Sequence, residues 1–144
     1  MASDLEVRII GLDQVIQKLN GTGEKLSNEL SKTTKEAVLW LHHHVPPYPP
    51  KPEGSTYRRT VLLGKSVVAW QGDAPGAISR VEGLGREVRG IFGTAVVYAP
   101  MVIDANAQLP MHTRHHWYTL QAIVEKEKDA IKNIYQNWIN ELLR

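Results

Sequence analysis

The sequence predicts an α+β domain: an antiparallel β-sheet packed against two long α-helices, with a proline-rich arm between the first helix and the sheet. Three observations predict it. The stretches Glu24 to His44 and Tyr118 to Leu143 carry apolar residues at helical spacing. Between them lie short β-branched segments separated by glycine and proline. The first helical stretch runs into Pro46 and Pro47, and Pro49, Pro50 and Pro52 follow at once. The 144 residues suit one domain spanning 1–144, of which 46–60 is the arm.

In chain order, Leu5, Val7 and Ile9 alternate with Glu6 and Arg8, the period of a half-buried strand that Gly11 ends. Leu12, Val15, Ile16 and Leu19 form a short helical stripe closed by Asn20 and Gly21. From Glu24 to His44 there is neither Gly nor Pro, and Leu26, Leu30, Ala37, Val38, Leu41 and Val45 mark a helix of about six turns. It must stop at Pro46 and Pro47, which lack an amide donor. Tyr48 to Thr60, YPPKPEGSTYRRT, favours an extended path and reads as an ordered arm or long loop.

Lys65 to Gln71 is rich in β-branched residues, ends near Trp70 and is expected to be a strand. Gly72, Asp73, Pro75 and Gly76 make a turn. Ala77 to Val81 and Val88 to Val97 form a hairpin with Gly83 and Gly85 between them, whereas Ala99 to Leu109 has no clear period. In the last helix Leu120, Ile123, Val124, Ile131, Ile134, Tyr135, Trp138, Ile139 and Leu142 form a wide apolar stripe. Thr119 is its expected N-cap.

With no cysteine, disulfides, thiolate metal sites and a cysteine nucleophile are excluded. Nothing is long and apolar enough for a membrane span, and MASDLEVRII is too acidic and too briefly apolar for a signal peptide. A net charge of +2 permits contact with nucleic acid without demanding it.

Histidines fall in two groups, His42-His43-His44 and His112, His115, His116. Three consecutive helical residues point about 100° apart and cannot share one ion. His112 and His116 share a face only if their stretch is helical, and Asp104 is the nearest upstream acid. Gly64-Lys65-Ser66 resembles the end of a phosphate-binding loop, but Arg59 stands where that loop needs its first glycine. Neither a dinucleotide fingerprint nor a nucleophile elbow is present. The chain therefore reads as non-enzymatic, with no cofactor.

Arg58, Arg59 and Lys65 cluster beside Tyr48 and Tyr57, a mixture that can follow a nucleic-acid backbone or guard a strand edge. Trp138 belongs to the core stripe. Trp40 falls beside its helix's stripe, and Trp117 precedes the last helix, positions that suit contacts with another chain.

The order of Gly11-Leu12, Pro46, Gly54 to Arg59, Tyr98-Ala99 and Trp117 to Leu120, with GLDQVIQKL, YRRTVLLGKS, GTAVVYAPMV and MHTRHHWYTLQAIVE around them, resembles the neck or tail-completion family of tailed bacteriophages. The likeness covers nearly the whole chain. One departure is Val102-Ile103-Asp104-Ala105, where many members have a Gly-Thr pair after an acid, so the following loop is expected to differ. The resemblance implies a virion protein between portal and tail, made in the host cytoplasm and acting without catalysis. It implies rings, expected to be sixfold, with neighbouring connector or tail proteins and DNA in the channel as partners. The expected interface comprises Tyr48, Pro49, Pro50, Tyr57, Arg58 and Arg59 of the arm, with Trp40 and Trp117. Two other readings are a nucleic-acid-binding module using segment 57–65 and a metal-dependent hydrolase built on His112, His115 and His116.

Overall fold

The computed structural model describes residues 4–5, 23–56, 59, 61–83 and 87–144. The expected helix Leu12 to Leu19 and all but the start of the expected strand Leu5 to Ile10 lie outside the described residues. The elements are β1 (Asp4–Leu5), α1 (Gly23–His43), α2 (Leu62–Val67), β2 (Arg80–Glu82), β3 (Arg89–Ile91), α3 (Ala99–Ile103), α4 (Pro110–Arg114) and α5 (Leu120–Leu142). The class is α+β, as the periodicities imply.

The sheet is antiparallel in the order β1-β3-β2. The hairpin register sets Arg80 opposite Ile91, Val81 opposite Gly90 and Glu82 opposite Arg89, while β1 pairs Asp4 with Ile91 and Leu5 with Gly90. Gly90 thus lies between two neighbouring strands, and a Cβ there would stand 2.9 Å from Val38 Cγ2 and 3.0 Å from Thr34 Cγ2. The missing side chain lets β3 lie directly on α1.

α1 is the element shared by the hairpin and the last long helix. Both β2 and β3 pack on it, and so does α5. This differs from a sheet lying against both long helices. Thr34 shows the arrangement at one residue. Its methyl group faces Gly90, and its hydroxyl donates to the Leu30 carbonyl (2.8 Å) and accepts from the Tyr135 hydroxyl of α5 (2.9 Å). The predicted stripe is the buried one: Leu26, Leu30, Ala37, Val38 and Leu41 of α1 meet Leu120, Ile123, Ile131, Tyr135 and Trp138 of α5 and Phe92 after β3 in the core. Each fully buried side chain of this size contributes about 1.5–3 kcal/mol. Thr119 caps α5 by accepting from the Ala122 amide at 3.2 Å.

The expected strand Lys65 to Gln71 is a correction. Residues Leu62–Val67 form α2, and only Trp70 and Gln71 make isolated bridges, to Ser79 and Ala74. Leu63, Ser66 and Val67 are buried together at a spacing of three and four, so helical burial outweighs the β-branched composition. Ser66 adds a hydroxyl hydrogen bond to the Leu63 carbonyl (2.8 Å) and another with Thr94 (2.7 Å). The predicted turn holds: Ala77 N donates to Ala74 O across Pro75 and Gly76, and Gly76 has φ +77°. Proline then glycine with positive φ is the type II arrangement.

Ala99 to Leu109, which has no clear period, contains α3, and α4 follows it. Both carry proline in the first turn, where a missing amide costs nothing. Among the described residues, no helix is long and apolar enough to cross a membrane.

Candidate functional site

The arm leaves α1 and folds back on the body. Tyr48 is half-buried, with its ring centroid 5.0 Å from that of Trp117. Its hydroxyl accepts from the Gly64 amide at 2.6 Å. That amide is one of the orphan donors at the start of α2, whose N-cap residue Val61 offers no side-chain bond. A side chain sixteen residues upstream therefore caps the helix from outside. Gly64 leaves room for it, since a Cβ there would sit 3.2 Å from the Tyr48 ring.

Arg59 closes the arm into a clasp. Its guanidinium donates to the carbonyls of Pro49 and Pro50 and lies 5.1 Å from the Trp117 ring centroid and 6.0 Å from that of Tyr48. Proline carbonyls have no helical or ladder partner here, so a fixed fork of donors suits them. Cation–π contact adds about 0.5–1 kcal/mol per ring at such half-open sites. The hydroxyl of Tyr118 is buried beside the clasp, and burial together with nearby Tyr48 pushes its pKa up.

Opposite the arm, residues 98–117 are shaped by single polar side chains. Asp104 is buried; its carboxylate accepts from Asn106 N (2.9 Å) and Gln121 Nε2 (2.8 Å), tying the turn after α3 to the first turn of α5. Gln108 donates to the carbonyls of Val102 (2.7 Å) and Trp117 (3.2 Å) and accepts from the Thr113 hydroxyl (3.0 Å). α4 ends in a Schellman motif. His116 N donates to Thr113 O and Trp117 N to His112 O, with His116 at φ 61°. The His112 and Trp117 rings meet edge-on at 5.7 Å, supplying the contact across the motif.

Between the two segments lies a cleft of about 350 Å³. Met101, Val102, Leu109, Met111 and Trp117 give it apolar walls, and Pro52 and Ser55 bound it on the arm side. Among the described residues its ionisable lining is Arg59, His112 and His115, with Tyr98 adding a phenol and no carboxylate present. Burial, and secondarily His115, pulls the pKa of His112 down.

The structure brings Tyr48, Arg59 and Trp117 together and uses Pro49 and Pro50 through their carbonyls. Trp40 stands apart on α1, donating to Glu127 Oε2 of α5 at 2.7 Å and stacking on His44 at 4.4 Å. Tyr57 and Arg58 lie outside the described residues. Sequence reasoning missed Met101, Leu109, Met111 and Gln108; the signal available was a pair of helix-starting prolines, Pro100 and Pro110, flanked by large apolar residues.

The histidines separate. His42 is buried, hydrogen-bonded to Ser79 Oγ (3.0 Å) and edge-on to Trp70, and burial with neighbouring His43 pulls its pKa down to about 4. His44 Nδ1 bonds the Trp40 carbonyl. α4 ends at Arg114, so His112 and His116 share no helical face, and Asp104 does not line the cleft. Among the described residues no group of three His, Asp or Glu could hold a metal ion.

No known family model, curated protein or solved structure matches the chain.

Proposed function

We propose that the chain is a structural protein of a tailed-phage or prophage virion, a neck or tail-completion component that joins head connector and tail. The order of its motifs supports this reading. The observation that carries it is the cleft between arm and segment 98–117. Its rim exposes Met101, Leu109 and Met111 on a surface fixed by Arg59, Asp104 and Gln108. Large apolar side chains gathered on a preformed surface mark contact with another protein. The protein works without catalysis, as copies in a sixfold ring that meets neighbouring connector or tail proteins, in the host cytoplasm during assembly and then in the virion. Arg59 is committed to the arm's own carbonyls, which leaves it poorly placed to grip channel DNA.

Deleting the reading frame from the phage or prophage that carries it tests this. Filled heads and tails that remain separate in electron micrographs are expected. Normally joined particles would overturn the assignment.

A further inference from the structure

The cleft gathers four side chains that share softness toward metal ions. Met101, Met111, His112 and His115 all line it, and among the described residues it holds no carboxylate. The chain has no cysteine. The donors on offer are therefore two thioethers and two imidazoles. Backbone geometry sets three of them together. His115 caps α4, and its amide donates to the Met111 carbonyl at 3.2 Å, so the helical path continues through it. His115 thus follows Met111 by four residues and His112 by three, spacings that make side-chain neighbours on a helix. The fourth donor comes from α3. The Leu109 amide donates to the Met101 carbonyl at 2.9 Å, which fixes α3 beside the start of α4. Met101 is 45% exposed and Met111 52%, so both side chains are reachable from solvent.

The donor set selects the ion. Thioether and imidazole suit Cu+, whereas Mg2+, Ca2+ and Mn2+ call for carboxylate, carbonyl or water oxygens. Among the described residues no three of His, Asp and Glu come together to hold an ion, so a divalent metal that ignores thioethers lacks a ligand set here. Charge points the same way. Arg59 lines the cleft, and its hydrogen bonds go to neutral carbonyls, which leave its positive charge in place. Coulomb repulsion scales with the charge on the ion, so a monovalent cation meets about half the opposition that a divalent one does.

We infer that Met101, Met111, His112 and His115 form a binding site for a soft monovalent metal ion, Cu+ or its analogue Ag+. An ion held there ties α3 to α4 across the cleft. This site goes beyond the assembly role and does not depend on it.

Methionine labelled at its methyl carbon reads the site directly in the full-length chain. Adding Ag+, which resists a change of oxidation state, is expected to shift the methyl resonances of Met101 and Met111 together and to saturate near about one equivalent. Met101→Leu and Met111→Leu assign the two resonances; both positions are exposed and the swap nearly conserves volume, so the variants fold. Anaerobic competition for Cu+ against bicinchoninate then gives relative affinities. Each leucine variant, and His115→Gln, is expected to hold Cu+ about tenfold more weakly than wild type. Zn2+ at the same concentration is expected to leave both methyl resonances in place. Should a variant lose its cooperative melt, Met101→Ile, Met111→Ile or His115→Asn replaces it.

Three results would each overturn the inference: methyl shifts that are absent, confined to one methionine or unsaturated; leucine variants that hold Cu+ as tightly as wild type; or Zn2+ moving the same two resonances. None of these touches the head-and-tail phenotype, which judges the assembly role separately.

Discussion

Around Thr34 and around Arg59 the chain solves the same problem, holding distant segments together, by different means. At Thr34 a helix, a strand and a second helix meet through shape. Gly90 removes a side chain so that backbone can approach, and Leu41, Val38 and Phe92 fill what remains. At Arg59 the side chains are only half-buried. Hydrogen bonds to unpaired carbonyls, two aromatic faces and a distant helix cap hold the arm. The first kind of contact is strong and indifferent to which atom makes it. The second is weaker and depends on individual groups, which suits a surface that must be fixed in outline yet exposed to another molecule.

Substitutions can break this contrast in order of size. Leu41→Ala in the α1 stripe removes a fully buried side chain and leaves a cavity, and is expected to lower unfolding stability by about 3 kcal/mol, read as a shifted urea midpoint with unchanged slope. Arg59→Ala should cost about 1–2 kcal/mol globally. Its distinctive signature is local: hydrogen exchange at the Gly64 amide should accelerate well beyond the global change, because the Tyr48 cap is lost as the arm loosens. If Gly64 exchange tracks global unfolding in this variant, the arm is as much core as the α1 stripe and the contrast fails.

What the sequence made legible follows the same division. Periodicity reports area, so the long helices, the core stripe, the existence of the hairpin and the Thr119 cap could be read directly. The hairpin's strands, expected over Ala77 to Val81 and Val88 to Val97, are only Arg80–Glu82 and Arg89–Ile91. The clasp has no period. Arg59 and Tyr48 were visible as basic and aromatic residues of a proline arm, but the carbonyls of Pro49 and Pro50 and the Gly64 amide that they serve leave no trace in residue type. α2 misled for a related reason: Val67 and Val68 carry β propensity, while the deciding facts, Ser66 bonding Thr94 and Leu63 packing inward, are tertiary. Met101 and Met111 went unread because exposure of an apolar residue is a property of the fold.

His42 sharpens the comparison by pH. Its folded pKa, about 4, is depressed below the ordinary 6.5 by burial. The unfolded chain therefore binds more protons between these values. The stability contributed by keeping the ring neutral is fully present above about pH 6.5 and is lost as pH falls toward 4. Between pH 7 and pH 5 wild type should lose of order 1 kcal/mol more than His42→Gln, the full linkage value being reduced by solvent relaxation. Equal losses in the two proteins would show that the ring near Ser79 and Trp70 tolerates charge.

The smallest effect has the opposite sign. His116 holds the left-handed C′ position of the Schellman motif at φ 61°, where glycine carries no Cβ penalty. Its backbone is committed by the bonds from His116 N to Thr113 O and from Trp117 N to His112 O. Its side chain is exposed, so replacement removes no buried contact. His116→Gly is therefore expected to stabilise the fold by about 0.5 kcal/mol, the relieved strain being partly offset by the greater freedom of glycine in the unfolded chain. A thermal melt that rises by a few degrees would confirm that α4 and the His112–Trp117 contact are set by backbone geometry. A fall in the melt would mean that the imidazole itself supports the cleft wall, and that the histidines preceding Trp117 do more than end a helix.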